Sequence, residues 1–68
     1  MTLSEYCRLL GWDAAELARR ASINARTARK ALKGEQVTLR VARQIADALT
    51  RALDYNVTVG MIGKLNVE

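Results

Sequence analysis

Few side chains in this sequence could carry covalent or metal chemistry. The 68 residues include no histidine and one cysteine, Cys7. General acid–base work and nucleophilic catalysis draw mainly on histidine, activated cysteine or paired carboxylates. A structural zinc site needs several Cys, His or carboxylate ligands. The composition therefore points away from an enzyme, a metal site, an internal disulfide and any cofactor. What the chain does carry is positive charge. Its net charge is +4, with a pI near 9.8. Eight of its eleven basic residues lie between positions 19 and 43: Arg19, Arg20, Arg26, Arg29, Lys30, Lys33, Arg40 and Arg43. Glu35 is the only acid among them.

Four of these cations, Arg26, Arg29, Lys30 and Lys33, recur at i, i+3, i+4 and i+7. On a helix that spacing makes one stripe. Each like-charged pair on such a stripe costs a few tenths of a kcal/mol. A polyanion would relieve the repulsion. A solvated helix face is the plain alternative. The stripe rises above it because it falls on the second helix of a helix-turn-helix pattern, where a basic helix is placed to enter a DNA groove.

The elements that must position this stripe follow from local signals. Thr2 and Glu5 have capping-box spacing. Leu3, Tyr6, Leu9 and Leu10 then recur at helical spacing, with Cys7 beside them, and Gly11 supplies the stop. Trp12 follows, expected as a core plug. Asp13 is a good N-cap for a short helix to residue 21, with Glu16 three residues on, close to a second capping box. Leu17, Ala18 and Ala21 are its inner edge. At Ser22 the turn favours positive φ, which suits glycine better than serine; strain or another turn geometry is expected. Ile23 is an apolar peg, and Asn24 caps the basic helix, residues 25–33, which stops at Gly34. Its inward residues are Ala28, Ala31 and Leu32. After a loop at residues 35–37, Thr38 caps a longer helix ending near Asp54. Its expected buried stripe is Leu39, Ala42, Ile45, Ala46, Leu49 and Leu53.

From Tyr55 the pattern changes. The stretch YNVTVGMIGKLNVE is rich in β-branched residues and alternates, which argues for extended structure. Its near-symmetry, NVTV-GMIG-KLNV, suits a hairpin looping at residues 60–63; a single longer strand is the competitor. An isolated two-stranded ribbon is marginal in water, so a second copy of the chain is the expected partner. Val57, Val59, Met61, Ile62, Leu65 and Val67 are the candidate dimerisation residues.

The hydrophobic fraction, 50%, is too high for a disordered chain. No apolar run approaches the ~20 residues of a membrane span. The N-terminal residues lack a signal-peptide pattern, and the lone thiol fits a reducing cytoplasm. A single domain this small buries only about 60% of its unfolded surface, so tight helix packing and self-association are both expected.

Trp12, Glu16-Leu17-Ala18, Ala21, Ile23, Thr27, Leu32, Gly34, Ile45 and Ala48-Leu49 together resemble the Cro/repressor-like, or XRE, helix-turn-helix family, over residues 3–53. The tail after four helices is similar to that of Cro, in which such a segment joins two subunits. The resemblance implies a mostly α fold: a four-helix DNA-binding domain, residues 1–54, followed by a β-strand or hairpin, residues 55–68, used in dimerisation. It places base-reading positions at Ala25 and Arg26, with Arg29 and Lys30 one turn on. A phosphate contact falls on Lys33, and Arg40 lies near the DNA backbone. Two positions depart from the family. Ala14 and Ala15 stand where many phage repressors have a glutamine that touches DNA, so Arg19 or Arg20 would have to replace that contact. Ser22 stands where the turn often has glycine.

Arginine pairs bidentately with guanine O6 and N7, which discriminates by about 1–3 kcal/mol. Arg26, at the helix start, is best placed for this, and Ala25 could touch a thymine methyl. Asn24 and Thr27 are expected at the backbone, with helix capping as the structural alternative for Asn24. A symmetric dimer would set two such helices about 34 Å apart on a palindrome. The expected function is a homodimeric, sequence-specific double-stranded DNA-binding regulator, a repressor by occupancy. The competing expectation is the antitoxin of a toxin–antitoxin pair, with a protein toxin as partner.

Overall fold

A computed structural model describes all 68 residues. Four α-helices follow one another: α1, Leu3–Leu10; α2, Ala14–Ala21; α3, Ala25–Leu32; and α4, Leu39–Leu53. A single 3-10 turn, Val59–Met61, follows them. No helix is long and apolar enough to cross a membrane.

Each helix starts where a side chain can satisfy its orphan N–H groups. The Thr2–Glu5 capping box is complete. The Glu5 N–H donates to Thr2 Oγ1 at 3.2 Å, and the Thr2 N–H donates to Glu5 Oε1 at 2.7 Å. Asp13 Oδ1 accepts from the Glu16 N–H at 2.8 Å, and Thr38 Oγ1 accepts from the Val41 N–H at 3.2 Å. The second box is only half formed, because the Glu16 carboxylate turns to Arg19 and Arg20 instead. Gly11 takes the left-handed conformation that ends α1. Ser22 and Asp54 take it at the ends of α2 and α4, at φ 56° and 59°. The turn thus keeps the geometry that favours glycine, with serine in its place.

Helix α2 is the hub, packed against both α3 and α4. Its inner residues, Leu17, Ala18 and Ala21, are buried as the spacing predicts. Leu17, Ile45 and Leu49 are the largest fully buried side chains. Most other helical core positions are alanine: Ala18, Ala21, Ala28, Ala31, Ala42, Ala46 and Ala48. Small side chains let the helix backbones approach, so a short chain closes a core that contains no buried polar residue. Cys7 is part of it, and burial pushes its thiol up to about 11.

Of the expected core positions, Leu10, Trp12, Leu32 and Leu53 are half-buried and two are exposed. Leu9 is 64% exposed and Leu39 is 45% exposed. The buried side of α1 runs through Leu3, Tyr6 and Cys7. At about 100° per residue, Leu9 lies roughly 200° round the helix from Cys7. Leu39 occupies the first turn of α4, ahead of the point where the neighbouring elements close over it, and lines a surface groove.

The tail departs most from expectation. It forms no sheet; its only β pairings are isolated parallel bridges, Thr2 with Gly63 and Val37 with Val67. Neither the hairpin nor the long strand is present. The stretch instead wraps back over its own domain. Val57 and Ile62 enter the hydrophobic core, so these two candidate dimer contacts are used inside the chain. The tail backbone is satisfied locally. The Met61 N–H donates to Thr58 O at 3.0 Å, and the Gly63 N–H donates to Met1 O at 2.8 Å. The Val37 N–H donates to Asn66 O at 2.8 Å, and the Glu68 N–H donates to Val37 O at 3.0 Å. Docking on existing helices buries the β-branched residues without the cost of an unsupported ribbon. Gly63 lies close against the Met1 backbone, where a Cβ would meet Met1 O at 3.4 Å, the near edge of ordinary contact.

Candidate nucleic-acid interface

The basic helix α3 presents its two faces as its spacing requires. Ala28 and Ala31 are buried, Leu32 is half-buried, and Arg26, Arg29, Lys30 and Lys33 are all exposed. No carboxylate comes within salt-bridge reach of these four; the chain's ion pairs are both made by Glu16. The first turn of α3 holds no acid. The positive end of the helix dipole therefore adds to the side-chain charge.

Asn24 is occupied as a cap. Its Oδ1 accepts from the Arg26 N–H at 2.8 Å and from the Thr27 N–H at 3.3 Å. Its amide NH2 remains free to donate outward. Ala25 and Thr27 are half-buried at the start of the helix. Arg40 is exposed in the first turn of α4. It shares a shallow cleft of about 480 Å³ with Asn24, Thr27, Ser22 and Gln44. The fold thus brings Arg40 beside the start of α3, although fourteen positions separate it from Arg26.

Two residues join this surface that sequence reasoning did not single out. Gln44 lines the cleft with Arg40. Lys64, at φ 58°, lines a cleft with Lys33 and Gly34 at the far end of α3. The helical phase of Gln44 was visible in the sequence. The position of Lys64 was not, because it depends on how the tail docks.

Arg19 and Arg20 do not stand free like the α3 stripe. Both guanidinium groups hold the Glu16 carboxylate, Arg20 Nε at 2.6 Å and Arg19 Nε at 3.2 Å. Hydrogen bonds from Arg19 and then Arg20 hold the Glu16 carboxyl below its usual range. Arg20 also lies over the Trp12 ring, 5.4 Å from its centroid. Trp12 is half-buried, with one part on the core and its ring under a cation. These contacts at i+3 and i+4 were legible in the sequence as Glu16, Arg19 and Arg20. They leave both arginines of α2 with a carboxylate partner, where the cations of α3 have none.

Of the tail residues, Met61 is 45% exposed, while Val59, Leu65 and Val67 are half-buried against the core. No group of three or more potential metal ligands is present. No family model, curated protein or solved structure matches this chain.

Proposed function

We propose that this chain is a sequence-specific double-stranded DNA-binding protein. It acts as a homodimeric transcriptional regulator, a repressor that occupies a palindromic operator. The observation that carries this reading is the contrast between two adjacent helices. The cations of α2 are both paired with Glu16, whereas those of α3 stand exposed and unpaired. A like-charged stripe with no internal partner is suited to a polyanion, and α3 is the second helix of a helix-turn-helix arrangement.

In this reading α3 enters the major groove. Arg26 reads a base edge, with Arg29 and Lys30 one turn on and Ala25 against a thymine methyl. Lys33, Arg40 and the Asn24 amide meet phosphates, and Thr27 sits at the groove edge. Lys64 extends the phosphate track beyond Lys33. One helix reads few bases, so a second copy supplies the other half-site. Among the tail residues, Val59, Met61, Leu65 and Val67 keep some exposed surface for pairing, while Val57 and Ile62 are taken up by the core. The protein works by binding and needs neither catalytic chemistry nor a cofactor.

Selection from a random duplex pool should return a palindromic site. Replacing Arg26 and Arg29 together with alanine should abolish binding to it. Undiminished binding and sequence preference in that variant would overturn the reading.

A further inference from the structure

Helix α4 and the tail enclose a groove of about 640 Å³ on the surface, with Leu39, Arg43, Ala46, Asp47 and Val59 among its lining residues. Leu39 is a large apolar side chain left 45% exposed beside it. Arg43 and Asp47 are both exposed. They stand four positions apart on one helix, yet form no salt bridge with each other or with any other residue. The face thus offers one free carboxylate, Asp47, and two free cations, Arg43 four positions before it and Arg40 at the border, flanked by apolar surface.

From this juxtaposition we infer that the groove is the contact surface for a second copy of this chain, paired antiparallel along α4 so that Arg43 of each copy meets Asp47 of the other. A two-fold axis midway between Arg43 and Asp47, on the exposed face of α4 opposite the buried Ile45, exchanges the two positions. Such an isologous contact requires a patch complementary to itself, and the Arg43/Asp47 pair meets that requirement. The two apolar sets, each Leu39 and the exposed part of Val59, then cover one another around the ion pairs. A stable interface needs about 500 Å² or more per partner, roughly an eighth of the 4240 Å² the chain exposes.

The location also suits the function proposed above, on which only this point rests. Arg40 and Gln44 line both the groove and the cleft at the start of α3. Pairing through the groove therefore places the two α3 helices on either side of the two-fold axis. Arg40, at the border, stays available to a phosphate.

Sedimentation velocity without DNA tests the contact independently of any nucleic-acid role. The full chain should dimerise. Arg43→Asp and Asp47→Arg should each raise the dimer dissociation constant about a hundredfold, since each converts two attractive contacts into like-charge contacts. An equimolar mixture of the two variants should dimerise again, because every facing pair in the mixed dimer is then opposite in charge. Circular dichroism would check that each variant keeps its helices. A monomeric full chain, dimers indifferent to either substitution, or no recovery on mixing would each overturn the inference. A dimer that passes this test and ignores DNA would leave the interface standing and remove the proposed function.

Discussion

The Thr50 hydroxyl holds both polar groups of the Val57 backbone. Its Oγ1 accepts from the Val57 N–H at 2.9 Å and donates to the Val57 carbonyl at 3.1 Å. Thr50 lies in the last turn of α4, and Val57 is the buried residue at which the tail turns back onto the core. One side chain thus substitutes for the strand partner that the Val57 backbone lacks. Thr50→Val keeps the shape but leaves a buried donor and acceptor unpaired. A loss of about 1–3 kcal/mol is expected, read from urea unfolding midpoints. Thr50→Ser should recover most of it. Equal stability for the valine and serine variants would show that the hydroxyl does not hold the tail.

Ser22 joins α2 to α3 at φ 56° and ψ 43°, with an exposed side chain. A non-glycine residue pays a steric penalty there that glycine does not. Ser22→Gly should raise stability by about 0.5–1 kcal/mol, partly offset by the greater freedom glycine gives the unfolded chain. The thermal midpoint should rise while the helix content stays the same. A lower midpoint would mean that the loop tolerates serine without strain.

The cations around α3 should separate by role. Arg26→Ala should cost about 1–3 kcal/mol of binding free energy and flatten preference at one operator base pair. Lys33→Ala and Lys64→Ala should weaken binding to all sequences alike. Each should reduce the slope of log K against log salt by about one unit. Fluorescence anisotropy on matched and mismatched duplexes at several salt concentrations distinguishes the two. An unchanged salt slope for Lys64→Ala would remove the tail from the interface.

Acid and alkali should act through different groups. Glu5 titrates below its usual value, held there mainly by the Thr2 backbone N–H and then by the Thr2 hydroxyl. Glu16 is held low by Arg19 and Arg20. Both carboxyls bind protons more weakly in the folded chain, so their contribution is present above the ordinary carboxylate value of 4.5 and is lost as pH falls through the folded values. Cys7 is the reverse case. Burial raises its thiol from 9.0 to about 11, so stability declines as pH climbs through that window. Denaturation midpoints from pH 2 to 11 check both limbs. Glu5→Gln should flatten the acid limb, and Cys7→Ala part of the alkaline one, because burial also raises the Tyr6 phenol. Alkylation of Cys7 should also track global unfolding, since the thiol is buried and held protonated.

The starts and ends of the helices, the buried face of α2 and the unpaired stripe on α3 were all written in local sequence. Caps such as Thr2, Asp13, Asn24 and Thr38 act within three residues, and a helical period needs no distant partner to be read. Even the pairing of Arg19 and Arg20 with Glu16 lies within one turn. The tail is different. Its alternating Val57–Val59 and symmetric glycines carry a strand signal, because β-branched residues suit extended backbone wherever they later pack. Whether that backbone pairs with itself or docks on helices depends on the Thr50 hydroxyl, on the Met1 carbonyl that accepts from the Gly63 N–H, and on the free backbone of Val37. All of these lie elsewhere in the chain. Tertiary packing alone therefore turned the expected strand into a wrap, left Leu39 exposed and brought Lys64 to the end of α3. The free energy of a non-local contact depends on what else reaches the same place, and that is settled only when the core closes.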